Sequence, residues 1–354
     1  MLSKVYNDLI LQIKANKYDF LRFDLIKQDA IKDLAAQLAL KYDIVVVIGF
    51  GASSLNVRAL LSIKAVATKR LIYLDSLDQL EIDEKLALVD LSKAVFFSLS
   101  KSGNTNETYL LTKYVLEVLH VPPQNIYVIV PFSNNLLRNL AESFGTNCLE
   151  HDNIRSGRFG VISNASLLPT AVAGVDVHKV VLAASKKISD IIFDGFNICE
   201  IAEYYLNQYS LNRHMLVMFN YCYQLDGLCR WQQQIIAESL GKNGFGITPI
   251  IAKGTFDQHS QLQLYLEGPD DKFYQVITNK ASSDIEIALT AHANNIYNAL
   301  DQVKRPVKLE NFVYIDEQVI VDQIIHVMLS TILIANHLKI DPFNQPSVDE
   351  YKKV

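Results

Sequence analysis

The sequence predicts an α/β protein with two tandem, doubly wound parallel sheets, and three observations carry that reading. Short β-branched or aromatic runs recur, and most are apolar on both faces, as strands covered by helices on each side must be. Amphipathic stretches of helical period separate them, the alternation expected of parallel α/β layers. The whole pattern then occurs twice, at residues 44–152 and again from Met215, with helical sequence at 175–209 between the two groups.

Taken in order, residues 44–48 (IVVVI), 71–74, 94–98 (AVFFS) and 126–130 (IYVIV) read as strands of the first group. Helices are expected at 55–69, 105–119 and 135–143. In the second group, strands fall at 215–219, 247–251 and 273–277, and helices at 281–301 and 317–338 close it. The expected domains are 1–175, with an N-terminal helical segment, and 176–354, with linking helices and a C-terminal helical tail. No Pro-rich tract separates them, so a cleft between the two is the default ligand site.

Composition narrows the class. The chain has 354 residues, half of them hydrophobic and a fifth charged. That length buries roughly three-quarters of the unfolded surface, which excludes disordered and coiled-coil readings. A net charge of -5 leaves no electrostatic footprint for nucleic acid. Cys148, Cys199, Cys222 and Cys229 are too irregularly spaced for a disulfide framework and fit a reducing cytoplasm. Lys, Asp and Asn run through the first 20 residues, so no signal-peptide core is expected there. The apolar stretch 319–338 contains Asp322, Gln323, His326, Asn336 and His337. A charge at a membrane midplane costs roughly 2.5–3.5 kcal/mol, so a packed helix is expected rather than a membrane span.

Spacing marks several residues for chemistry. Ser100, Lys101, Ser102 and Thr105 follow the AVFFSLS strand and precede a helix, and Asn104 with Glu107 has the spacing of a capping box. Hydroxyls and backbone N–H groups at a helix start, beyond the carboxyl end of a parallel strand, make an anion site. Residues 48–54 (IGFGASS) form a second strand-to-helix turn containing Gly51 and Ser53. It lacks a third glycine and, on this reading, an acidic residue at a following strand end, so nicotinamide binding is disfavoured. Glu238, near a helix end among apolar residues, is a candidate general base. His259, in a loop after a strand, is a candidate proton carrier. Arg158, beside Gly157, suits an anion clamp.

These segments together resemble a known family. IGFGASS (48–54), SKSGNTNET (100–108), SGRFGVIS (156–163), QQQIIAESLGK (232–242), GTFDQHSQLQLYLEGPDD (254–271) and DPFNQPSVDEYKK (341–353) match, in content and order, the blocks of the glucose-6-phosphate isomerase family, built on two sugar-isomerase (SIS) domains. The resemblance implies a compact form of that enzyme, with the phosphate on Ser100, Lys101, Ser102 and Thr105. Glu238 would be the base between C2 and C1, and Arg158 the cation facing the enediolate. His259 would assist ring opening from a neighbouring subunit, in a homodimer. Lys352 would lie near the ring oxygen, Gln234 and Gln345 would line the sugar, and Gly51 and Ser53 would form the first-domain turn. No metal or redox cofactor is implied. The chain departs from the family pattern at Ala52, Ser156, Leu240 and Tyr351, and has SKSGNT where SKTFTT is common. The last change keeps a bifunctional phosphoglucose/phosphomannose isomerase as an alternative. A non-catalytic sugar-phosphate sensor is the other, although residues 1–43 lack the basic DNA-binding head such a sensor would carry.

Overall fold

A computed structural model describes residues 2–23, 25–64, 66–193 and 198–351. In chain order the elements are α1 (Ser3–Lys14), α2 (Leu25–Lys41), β1 (Ile44–Ile48), α3 (Ala52–Leu61), β2 (Arg70–Leu74), α4 (Gln79–Leu86), β3 (Ala94–Leu99), α5 (Asn106–Glu117), β4 (Ile126–Val130), α6 (Leu136–Phe144) and β5 (Asn147–Glu150). They continue with α7 (Asn164–Val172), α8 (Val177–Phe193), α9 (Cys199–Ser210), β6 (Met215–Asn220), α10 (Asp226–Leu240), β7 (Thr248–Lys253), α11 (Leu262–Glu267), β8 (Lys272–Asn279), α12 (Asp284–Gln302), β9 (Val307–Phe312), α13 (Glu317–His337) and α14 (Pro346–Tyr351).

The chain divides into two compact units, Tyr18–Ala183 and Met1–Lys17 with Ala184–Val354. In the first, five parallel strands lie in the order β2-β1-β3-β4-β5. Successive side chains of a strand point to opposite faces, and the core divides accordingly. Val46, Ile48, Phe96 and Val128 pack under Leu111 and Val115 of α5 and Leu137 of α6. Val45, Val47, Val95 and Phe97 pack under Leu38 of α2, Val57 of α3 and Leu168 of α7. The doubly wound class read from the sequence is the observed one.

The second unit repeats the plan with four parallel strands in the order β7-β6-β8-β9. Val217, Phe219, Tyr274 and Val276 meet Tyr265 of α11 and Ala293, Ile296 and Leu300 of α12. Among the described residues α13 alone is long and apolar enough to cross a membrane. It packs with α9 and α10, and Ile320, Ile324, Met328 and Ile332 are fully buried, as expected of a core helix.

Three expectations need correction. The helix foreseen at 55–69 runs over Ala52–Leu61 instead. Thr68 is tied to Ala173 through a 3.1 Å backbone bond, which turns the chain away from the helix axis. The single helical stretch 175–209 is two helices, α8 and α9. Residues 1–17, placed with the first domain by the sequence reading, belong to the second unit. There α1 contacts α13, buries Leu9 and Ile13, and sets Tyr6 Oη against the Ile191 carbonyl.

Candidate active site

In the first unit, strand order reverses between β1 and β3, and a crevice beyond the carboxyl ends of such strands is where open α/β sheets bind ligands. The turn after β1 requires glycine twice. Gly51 has φ of 56°, and a side chain on Gly49 would meet Ser53 Cβ at 2.8 Å. Ser53 lies in the first turn of α3.

The loop after β3 carries the hydroxyls. Ser100 Oγ accepts from Gly103 N at 3.0 Å and lies 3.0 Å from Thr105 Oγ1, and Ser102 Oγ accepts from Asn104 N at 3.1 Å. Thr105 is the N-cap of α5, but its side chain makes no capping bond. The cap is therefore not Asn104, as the capping-box spacing suggested, because the Asn104 side chain is drawn to Leu136 N instead. Serine and threonine hydroxyls thus cluster at an N-terminus whose first-turn N–H groups are not occupied by the cap. Lys101 Nζ donates to Arg155 O at 2.9 Å, tying this loop to the segment that carries Arg158.

Arg158 sits in the tight turn Gly157–Phe159 and is 2% exposed. Asn56 Nδ2 donates to Gly157 O at 2.9 Å, and a Cβ on Gly157 would meet Ala52 at 3.3 Å and Lys101 Cδ at 3.9 Å. Phe159 packs against Phe20 with the rings tilted by 39° and their centroids 5.1 Å apart. Gly51, Ser53, Ser100, Lys101, Ser102, Thr105 and Arg158 therefore belong to three adjoining segments of one unit.

Sequence reasoning missed Asp75. This acid directly follows β2, although none was recognised at a strand end. Its carboxylate is engaged, accepting from Ser54 Oγ at 2.9 Å and Arg58 Nη2 at 2.7 Å, with Lys85 Nζ at 3.3 Å. Partial burial alone would raise its pKa, but Arg58, Ser54 and Lys85 outweigh that and hold it below the usual carboxylate range. The bonds pin the start of α3 beside Ser53. A depressed folded-state pKa stabilises above the unfolded carboxylate value of about 3.9 and is lost as pH falls through the folded value. Asp75→Asn is accordingly expected to cost about 1–2 kcal/mol at pH 7, with a smaller gap at pH 3. Thermal unfolding of both proteins at the two pH values checks this, and a gap independent of pH would contradict it.

In the second unit Glu238 occupies the last turn of α10, half-buried, and its Oε1 accepts from Gln234 Nε2 at 3.2 Å. Because α10 connects two parallel strands, it runs antiparallel to them, and Gln233 Nε2 reaches the carbonyl of Pro249 near the start of β7 at 2.9 Å. Lys242, just past the helix, donates to the Asp341 carbonyl, which anchors there the segment leading to Gln345. His259 lies at the other end of this sheet, exposed, in a loop after β7. Asp257 shapes that loop by accepting from Lys253 N at 2.7 Å, Ser260 Oγ at 2.8 Å and Gln261 Nε2 at 3.0 Å. Gly254 packs against the Tyr221 ring with no room for a Cβ. The structure thus sets Gln234 beside Glu238 and ties Lys242 to Asp341, while His259 lies at the other end of the sheet. Lys352 lies outside the described residues.

No family model matches the chain. Curated relatives do. A probable glucose-6-phosphate isomerase of Methanococcus maripaludis is 31% identical over 261 residues, covering 70% of this chain but 59% of that protein. The glucose-6-phosphate isomerase of Methanocaldococcus jannaschii is 28% identical over 339 residues, 88% of this chain and 83% of the relative. Among solved structures, a hypothetical protein of Thermus thermophilus superposes with TM-score 0.85 at 24% identity, over 99% of this chain and 92% of that one. A glucose-6-phosphate isomerase of Chlamydia trachomatis gives 0.77 at 17% identity, over 92% and 71%. At these identities the structural likenesses establish the fold. The sequence relatives, together with the ordered blocks, make the chain similar to glucose-6-phosphate isomerases, and it spans 59% and 83% of the lengths of the two named above.

Proposed function

We propose that the protein interconverts glucose 6-phosphate and fructose 6-phosphate, acting in the cytoplasm in glycolysis and gluconeogenesis. The observation that carries this reading is the hydroxyl-lined loop 100–105 joined to the Arg158 turn, in a chain that also sets Glu238 in the last turn of α10. On this reading Ser100, Lys101, Ser102 and Thr105 hold the phosphate. The turn at Gly51 and Ser53, with Gln234 and Gln345, lines the sugar. After ring opening, Glu238 removes the proton from C2 and returns it to C1, and the intermediate is an enediolate whose negative charge Arg158 offsets. Aldose and ketose differ only in proton positions, so the step calls for no metal or redox partner. Lys352 is assigned to the neighbourhood of the ring oxygen by the family resemblance alone. The alternatives of a bifunctional enzyme or a sensor gain no support from the relatives, which are named as glucose-6-phosphate isomerases.

We further propose a homodimer in which His259 serves the partner's site. Within one chain Glu238 and His259 lie at opposite ends of the second sheet, and fifteen residues of α10 at about 1.5 Å each span roughly 20 Å, too far for one substrate. The end that carries His259 also exposes Tyr223, Phe256, Ile285 and Tyr314, an apolar rim that a second copy would cover. Glu238→Gln and His259→Ala chains, each nearly inactive alone, should regain part of the activity when mixed, because half of the sites in a hybrid dimer pair an intact Glu238 with an intact His259. No regain after confirmed subunit exchange would place both groups in one chain's site.

A further inference from the structure

The loop after β4 contributes no residue to the candidate site, yet it determines the shape of the loop that does. Asn135 is 5% exposed and its amide is fully engaged: Oδ1 accepts from Arg138 N at 2.9 Å, while Nδ2 donates to Pro131 O at 3.0 Å and Ser133 O at 2.7 Å. A side chain so fixed forms a rigid wall, and Gly103 lies against it. A Cβ on Gly103 would meet Asn135 Cγ and Oδ1 at 2.2 Å, and Gly103 has φ of 69°. Two further bonds complete the clamp. Leu137 N donates to Gly103 O at 2.9 Å, and Leu136 N donates to Asn104 Oδ1 at 3.1 Å.

The first N–H groups of α6 are thus occupied by the neighbouring loop instead of a ligand. With the Gly103 carbonyl turned toward α6, the trans peptide directs the Asn104 N–H the opposite way, back into the loop, where it meets Ser102 Oγ. We infer that Asn135 and Asn104 are positioning residues for the phosphate: the start of α6 holds loop 100–105 in the conformation that presents its hydroxyls and the α5 N-terminus to an anion. Neither asparagine touches the substrate. The inference rests on the reading of that loop as the phosphate site, and its test separates the two.

Inorganic phosphate is titrated into the wild type, Asn104→Ala and Asn135→Ala by calorimetry, and KM and kcat for fructose 6-phosphate are measured in parallel. Losing one hydrogen bond of the clamp should raise the phosphate Kd and the KM of Asn104→Ala roughly threefold to tenfold. Its kcat should stay within about twofold, because no group that moves a proton has changed. Asn135→Ala should show the larger rise. The exposed Asn104 gives a variant whose unfolding temperature is expected to stay near that of the wild type, so a folding defect in Asn135→Ala does not remove the test. A merely structural role would lower the unfolding temperature and leave Kd and KM alone, and that result overturns the inference. Wild type that binds no phosphate overturns it as well. If phosphate binding weakens in the variants while no protein isomerises sugar, the clamp stands and the isomerase reading falls.

Discussion

Glu238→Gln should lower kcat by about 10²–10⁴-fold while leaving phosphate affinity near the wild-type value. Glutamine keeps the length of the side chain and can still accept from Gln234, so packing in the last turn of α10 changes little. It cannot take a proton from carbon. The loss should therefore appear in turnover rather than in KM, the signature of a group needed only along the reaction coordinate. An unfolding temperature close to wild type confirms that the fold is intact. A kcat within threefold of wild type would remove Glu238 from the role of base.

Arg158→Lys is the second large effect. Lysine retains the positive charge but replaces a planar fork by a point charge on a flexible stem. At 2% exposure the guanidinium sits in a site where solvent cannot compensate for the change. The turn that carries it is fixed by Asn56, Ala52 and the Phe159–Phe20 contact, so the backbone has little freedom to bring a shorter reach back into place. A fall in kcat of about 10²–10³-fold is expected, the size reported by removing one preorganised partner of a developing oxyanion. Steady-state kinetics on fructose 6-phosphate read it directly. A change confined to KM would mean that Arg158 binds the substrate and its intermediate equally and contributes no differential stabilisation.

The central strands were legible because burial on both faces forces an unbroken apolar run, as in IVVVI of β1 and IYVIV of β4. Of the edge strands, β2 and β7 were read and β5 and β9 were not. β5 reads NCLE and β9 reads VKLENF, and a strand with one side open to solvent keeps polar residues that resemble a loop. Where α1 docks was equally illegible, since Leu9 and Ile13 form a helical stripe that fits any apolar surface. At the site, Ser100–Thr105 announced itself through hydroxyls after a buried strand. Asn135 gave no such signal. Its partner glycine is 32 residues away, and only the adjacency of β3 and β4 brings the two loops together. Asp75 was overlooked for a related reason: its significance comes from Arg58 and Ser54, one to two helical turns into α3.

The most direct test of the account is a coupled assay on the purified protein. Fructose 6-phosphate is supplied, and glucose 6-phosphate is detected through its dehydrogenase as NADPH absorbance, with Glu238→Gln as the control. Steady NADPH formation by the wild type, lost in the control, is the predicted result. A folded wild-type protein that binds phosphate yet produces no glucose 6-phosphate would contradict the proposed isomerase.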